Sequence, residues 1–332
     1  MVAGFNMQVL DKAAELIRAS DSKRRALAAR LIAISKGRAK IGEANESLIV
    51  PVKKAMLNET VAGIDSGFMS ESLLSVEIVL VRAMAAIFSY KNGKLAKAEY
   101  WPEFVPLPEP IITTKAMQKE DLGTHKSLQR LLREIGLAQE IIKRFKPEYC
   151  FLDGSIIPQH ADKPRNNSRI KPLYKDVIHA FEELFKTAEQ NSCTLIGCVG
   201  DSRGTRLKEM LASLDKKIAE ADYYDISLLN YALKEAERTC VFSYAKSARE
   251  HPVLQDFSKE YASKLYAFYL RASDYDVPLR VEFLASSDSL ANEASRIAGI
   301  VYALSSMHRE YSYPAVLIEA DLRARLKPAE VN

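Results

Sequence analysis

The chain has 332 residues, 48% hydrophobic and 27% charged, a globular composition long enough to bury a sizeable core. It contains no uninterrupted apolar run of about 18 residues, which excludes a helical membrane span, and its start lacks a basic segment leading into an apolar block, so no signal peptide and a cytoplasmic location are expected. Net charge is +4, from 47 basic and 43 acidic residues, too even to identify a partner by itself.

In chain order, Val9, Leu10, Ala13, Leu16, Ile17, Leu27, Leu31 and Ile34 predict a helix over 7–35, with Asp21 or Ser22 either breaking it or capping a second segment. Within it, the stretch from Ser22 to Lys40 carries Lys23, Arg24, Arg25, Arg30, Lys36, Arg38 and Lys40 and no acid. Such a run suits a phosphate backbone, and it is equally the composition of a solvated helix face. A second helix is expected at 46–57. Strands follow at 60–68 and 73–90, the latter one bent strand or two, and "KLAKAEYWPEF" alternates weakly enough to pair with it. Pro102, Pro106, Pro108 and Pro110 then interrupt regular structure.

The second half alternates. An amphipathic helix over about 125–145 precedes the short strand "EYCFLDGSIIP". A polar loop at 158–170 leads to Lys171, and the stretch from His160 to Pro172 sets Lys163, Arg165, Arg169 and Lys171 against Asp162. A helix at 173–190, a strand at 193–201 and helices near 205–219 and 226–237 come next. Strands are expected at 239–244, 264–272 and 278–285, then a helix at 289–309, and last "YPAVLIEADLRARL" as a strand running into a helix. Strands first and strand–helix alternation later imply a mixed α/β fold, a mixed sheet with helices packed on it.

The four cysteines, Cys150, Cys193, Cys198 and Cys240, form no C-x-x-C pair, and the five histidines form no H-x-x-x-H pair. The cysteines read as reduced core residues, and any metal must be held by carboxylates, which favours magnesium or manganese over zinc. Neither a G-K-[ST] phosphate loop nor a G-x-G-x-x-G turn occurs, which argues against nucleotide-driven or dinucleotide chemistry.

Two motifs, "AGIDSG" and "FLDGS", each end an apolar run on an acid, Asp65 and Asp153, next to Gly and Ser. Small neighbours let a ligand approach a carboxylate closely, although Asp-Gly is also an ordinary turn pair. On the helix between them, Glu134 falls on the apolar stripe of Leu131, Ile135, Ala138, Ile141, Ile142 and Phe145, whereas Glu140 falls on the polar face. An inward acid needs either an arginine partner or a metal. Glu319 and Asp321 stand where the last strand is expected to meet its helix, and Asp321 is either an N-cap or a further member of a carboxylate cluster. Such a cluster is what two-metal phosphodiester hydrolysis requires, and Arg203 and Arg206 in "GDSRGTRL" are suited to clamp a phosphate.

The ordered set "GIDSGF", "LLREIGLAQEII", "FLDGSII", "LIGCVGDSR", "YYDISLLNYAL", "YDVPLRVEF" and "YPAVLIEADLRARL" resembles the NurA family of DNA-repair nucleases over about residues 60–326. The resemblance implies a ribonuclease-H-like core over 59–330, with insertions, behind an N-terminal helical region over 1–58. It implies a manganese-dependent nuclease, magnesium being the alternative, that acts 5′ to 3′ on single- and double-stranded DNA. It further implies a homodimer that works with the hexameric translocase HerA in end resection during double-strand-break repair. By motif match Asp65, Glu134, Asp153 and Asp321 would be catalytic metal ligands, and Arg280 in "RVEF" a DNA contact. Many members carry His where this chain has Asp321, and Lys where it has Gly200 and Asp201, so Arg203 or Arg206 would take over a phosphate contact. The N-terminal helices would either meet the translocase through apolar faces or grip DNA through Lys23, Arg24 and Arg25. A DNA-binding or HerA-regulating subunit with a weak site is the alternative reading.

Overall fold

The computed structural model describes residues 7–37, 40–73, 76–114, 117–285 and 290–327. It opens with helix α1 (Met7–Lys36), followed by short strands β1 (Lys40–Ile41), β2 (Glu46–Ser47) and β3 (Ile49–Pro51). Two long antiparallel strands, β4 (Thr60–Leu73) and β5 (Val76–Lys91), come next, with β6 (Lys94–Trp101) and β7 (Glu109–Thr113) both pairing β5. Then α2 (Lys119–Phe145), β8 (Tyr149–Asp153), α3 (Lys171–Gln190) and β9 (Thr194–Val199) alternate. Helices α4 (Arg206–Met210), α5 (Lys216–Ala219) and α6 (Asp225–Ala232) lead to β10 (Glu237–Thr239) and β11 (Phe242–Ser243). The chain closes with α7 (Lys259–Ala262), β12 (Leu265–Arg271), β13 (Leu279–Leu284), α8 (Leu290–Ser305) and α9 (Ala315–Ala324).

All strands but β1 and β2 join one 11-stranded mixed sheet, ordered β3-β10-β12-β13-β9-β8-β4-β5-β6, with β11 on β12 and β7 on β5. The central strands β4, β8 and β9 run parallel; β8 and β9 end together beside the middle of β4, which continues to Leu73 paired with β5, and such carboxyl ends are where α/β sheets commonly bind ligands. Strand alternation divides the side chains between two cores. Val61 and Phe151 face the layer of α8 and α9, with Ile297, Val301, Val316 and Leu317. Ala62, Ile64, Cys150 and Leu152 face α2 and α3, with Ile135, Ile141, Phe181 and Phe185. A third core joins Ala28 and Leu31 of α1 to Leu207, Ile218 and Leu229. All four cysteines are buried and free. Among the described residues no helix is long and apolar enough to cross a membrane.

Several local expectations are corrected. Neither Asp21 nor Ser22 breaks α1, which runs through both; Asp21 is instead bound by Arg24, Arg25 and the Tyr231 hydroxyl. Residues 46–57 contain β2 and β3 rather than a helix, because Ile49 and Val50 pair with Thr239 and Arg238 at the sheet edge. There Pro51 is tolerated for want of a required ladder N–H. The helices expected at 205–219 and 226–237 are shorter pieces, and residues 237–239 are a strand. The segment after Pro314 holds no strand: 315–324 is entirely helical, with Val316, Leu317, Ala320 and Ala324 buried at helical spacing. Arg38 lies outside the described residues.

Candidate metal centre

Ile64 pairs with Leu152 across β4 and β8 in parallel register, which places the next residues, Asp65 in the middle of β4 and Asp153 at the end of β8, side by side. Both sit at odd positions, on the face that α9 covers. Helix α9 comes very close to β4 because the two intervening glycines have no Cβ. A Cβ on Gly63 would lie 2.6 Å from the Val316 carbonyl oxygen, and one on Gly67 would lie 2.4 Å from that of Ala324. This close contact carries Asp321 over these two acids. Asp65, Asp153 and Asp321 each offer a carboxylate oxygen, all within 4.8 Å of one another.

The electrostatics are those of a site short of positive charge. Burial pushes the Asp65 carboxyl up to about 8, and the nearby Glu134, Asp153 and Asp321 add to the shift. Burial also raises Asp153, against the opposing effect of Tyr313. The Tyr313 hydroxyl lies 2.5 Å from Asp153 Oδ1 and 2.7 Å from the Cys198 carbonyl oxygen, tying the acid to the end of β9. Asp321 has Arg325 at 2.7 Å, an exposed pair that contributes little. Three hard oxygen donors within 4.8 Å of one another, two of them raised by burial, fit a divalent cation of the magnesium or manganese type.

Glu134 is buried, as its place on the apolar stripe implies, but on the opposite side of β4. Ser66, at an even position, turns toward α2 and donates its hydroxyl to Glu134. Arg130, one turn earlier on α2, donates to Glu134 at 2.6 Å and to Ser66 Oγ at 3.0 Å. Burial raises the Glu134 carboxyl even so. Ser66 and Gly67, expected to leave room for a phosphate and its ions, are instead taken up by Glu134 and by the backbone of α9. Glu319 turns away, accepting from Tyr100 at 3.0 Å and from Arg323 at 2.5 Å.

Arg203, Arg206 and Arg280 line one cleft of about 880 Å³ beyond the end of β9. Arg203 is exposed, and Arg206 lies 3.3 Å from Ser243 Oγ. Arg280 is 5% exposed, and its Nε donates to Glu282 at 2.7 Å, so it forms the floor of the cleft. Lys23 and Arg25 are exposed on α1, and Arg25 lies over the Tyr231 ring at 4.6 Å. Sequence reasoning missed Arg130 and Tyr313. Arg130 was visible as the i, i+4 partner of Glu134. Tyr313 had no local signal, since what it holds is 160 residues away in the chain.

The NurA domain family model matches residues 59–326. No curated protein matches the chain. The crystal structure of the NurA nuclease from Sulfolobus solfataricus is similar at 14% identity and a TM-score of 0.55, covering 98% of this chain and 94% of that one. A crystal structure of NurA bound to dAMP and manganese is similar at 10% identity and a TM-score of 0.54, covering 99% of this chain and 95% of that one.

Proposed function

The chain belongs to the NurA domain family, and from that premise we propose that it is a metal-dependent deoxyribonuclease that hydrolyses phosphodiester bonds at Asp65, Asp153 and Asp321. The observation that carries this reading is the convergence of these three acids, from the middle of β4, the end of β8 and helix α9, within 4.8 Å. They would hold one or two Mn²⁺ or Mg²⁺ ions. When bound, such an ion supplies Lewis-acid stabilisation of the phosphoryl charge and makes a nucleophile available at neutral pH.

The protein's own groups position and neutralise. Tyr313 holds Asp153 in place. Glu134 keeps Arg130 and Ser66 beside the acidic site, and there the guanidinium offsets charge brought in by a phosphate. We assign Glu134 to this supporting role, and to metal ligation only if its bond to Arg130 opens on binding. Arg203 and Arg206 would take further phosphates along the cleft at the end of β9, over the floor made by Arg280. The finer reading extends to 5′-to-3′ exonuclease and single-strand endonuclease action in end resection, as a homodimer partnered by a HerA-type hexameric translocase. In that reading α1 supplies either a translocase contact or a DNA grip through Lys23, Arg24 and Arg25.

End-labelled single- and double-stranded DNA, incubated with the full chain and Mn²⁺ or Mg²⁺, tests the core of this reading. Cleavage should require metal and fall by about 10³-fold or more in Asp65→Asn, with circular dichroism unchanged. Full activity in that variant would sink the assignment. Co-purification with a HerA-type hexamer and light scattering test the two assemblies.

A further inference from the structure

A second, smaller cleft of about 260 Å³ opens directly from the acidic site, lined by Asp153, Gly200, Asp276, Val277, Tyr311 and Tyr313. Its wall is aromatic and open: Tyr311 is 56% exposed and lines the same cleft as Asp153. One ring face stacks on Tyr313, at 5.9 Å between centroids and 25° between planes. The segment is held in place, since Asp276 accepts from the Ser312 backbone N–H at 2.8 Å and Tyr313 N–H donates to the Tyr311 carbonyl at 2.9 Å. Tyr311 is therefore presented by a fixed backbone, backed by a buried tyrosine that itself positions a candidate metal ligand. Val277, 46% exposed, extends the apolar surface beside it.

A large aromatic ring set rigidly beside a phosphodiester-binding acid site is suited to one occupant, a nucleobase. Bases stack on aromatic rings whatever their identity, while the phosphate stays at the metal. We propose that Tyr311 is the stacking platform for the unpaired nucleobase next to the scissile phosphate, and so a positioning residue that makes a splayed, single-stranded end the bound form of the substrate. The proposal rests on the nuclease reading above. A base in this cleft cannot remain paired, so duplex substrates would have to fray by at least one pair at the site.

The test uses the full chain and a series of end-labelled oligonucleotides, each with a single abasic position. Wild-type kcat/KM in Mn²⁺ should fall about ten-fold at one abasic position flanking the cut. Tyr311→Ala should fall about as far on the intact oligonucleotide and lose nothing more at that abasic position, while Tyr311→Phe should retain wild-type behaviour. Fluorescence anisotropy with Ca²⁺ in place of Mn²⁺, to hold the phosphate without cleavage, should show the matching ten-fold rise in Kd for Tyr311→Ala. An abasic penalty that persists undiminished in Tyr311→Ala, or equal Kd values for the two proteins, overturns the platform alone. A wild-type chain that cleaves no DNA overturns the nuclease reading and the platform with it. A change in oligomeric state without a change in abasic dependence means a second copy covers the ring, and also overturns it.

Discussion

At Arg238, near one edge of the sheet, a guanidinium only 1% exposed is closed in by partners: both oxygens of Glu46 at 2.8 Å, Ser295 Oγ at 3.0 Å and the Thr239 carbonyl oxygen at 2.9 Å. Where β8 ends beside the middle of β4, Asp65 is 8% exposed and meets Asp153 and Asp321. The Arg130 guanidinium is turned to Glu134 and Ser66, and that of Arg325 reaches the cluster only through Asp321, from its exposed side. Both regions bury charge, and burial is costly for either. One is paired at all but its Nε, so its charges act as structure. The other is left with excess negative charge in a fixed backbone frame, so it gains most from what it can bind. The contrast separates an ion pair that specifies the fold from a carboxylate group that specifies a ligand.

The largest expected effect breaks the paired side of the comparison. Arg238→Ala strands Glu46 and should cost about 3–5 kcal/mol in urea denaturation; a loss under about 1 kcal/mol would mean water satisfies the pair. On the other side, Gly67→Ala drives a Cβ against the Ala324 carbonyl and should cost about 1–3 kcal/mol while weakening Mn²⁺ binding, because α9 cannot shift without carrying Asp321. Calorimetry showing normal Mn²⁺ affinity in a destabilised variant would uncouple the helix from the site. Tyr313→Phe removes the hydroxyl that holds Asp153 and should lower Mn²⁺ affinity about 10–100-fold, with little change in stability. Unchanged affinity would show that the strand end alone orients the acid.

The most gradual effect, spread over several pH units, is on pH dependence. With its carboxyl raised from 3.8 to about 8, folded Asp65 binds a proton that the unfolded chain has released across that window. The metal-free protein should therefore lose stability gradually as pH rises from about 4 to 8. Asp65→Asn should flatten that slope, and Mn²⁺ affinity should climb over the same range as protons leave. A pH-independent unfolding midpoint in the metal-free wild type would remove the contrast with Arg238.

Much of this was legible in local sequence. The apolar runs before Asp65 and Asp153 are strands, the 3–4 spacing of α2 is a helix, and Glu134 is inward. Local patterning failed where a segment's environment overrode its composition. "AVLIEADLRA" is rich in Val, Leu and Ile but folds as helix, because one side of it meets the sheet and the other is open. Residues 49–51 became an edge strand because β10 was there to pair with them.

The sequence by itself determined that acids follow two apolar runs and that a third acid is buried on a helix, since these follow from periods of two and 3.6 residues; that β4 does not end at Asp65 but runs on to Leu73 was decided by its pairing with β5. Which acids meet was decided only by the tertiary structure. Successive side chains of β4 point to opposite faces, so Asp65 belongs to the side that α9 covers and Ser66 to the side that α2 covers. Asp321 joins the cluster and Glu134 stays behind Ser66 because of which helix packs on which face, a matter of contacts between parts of the chain more than 180 residues apart.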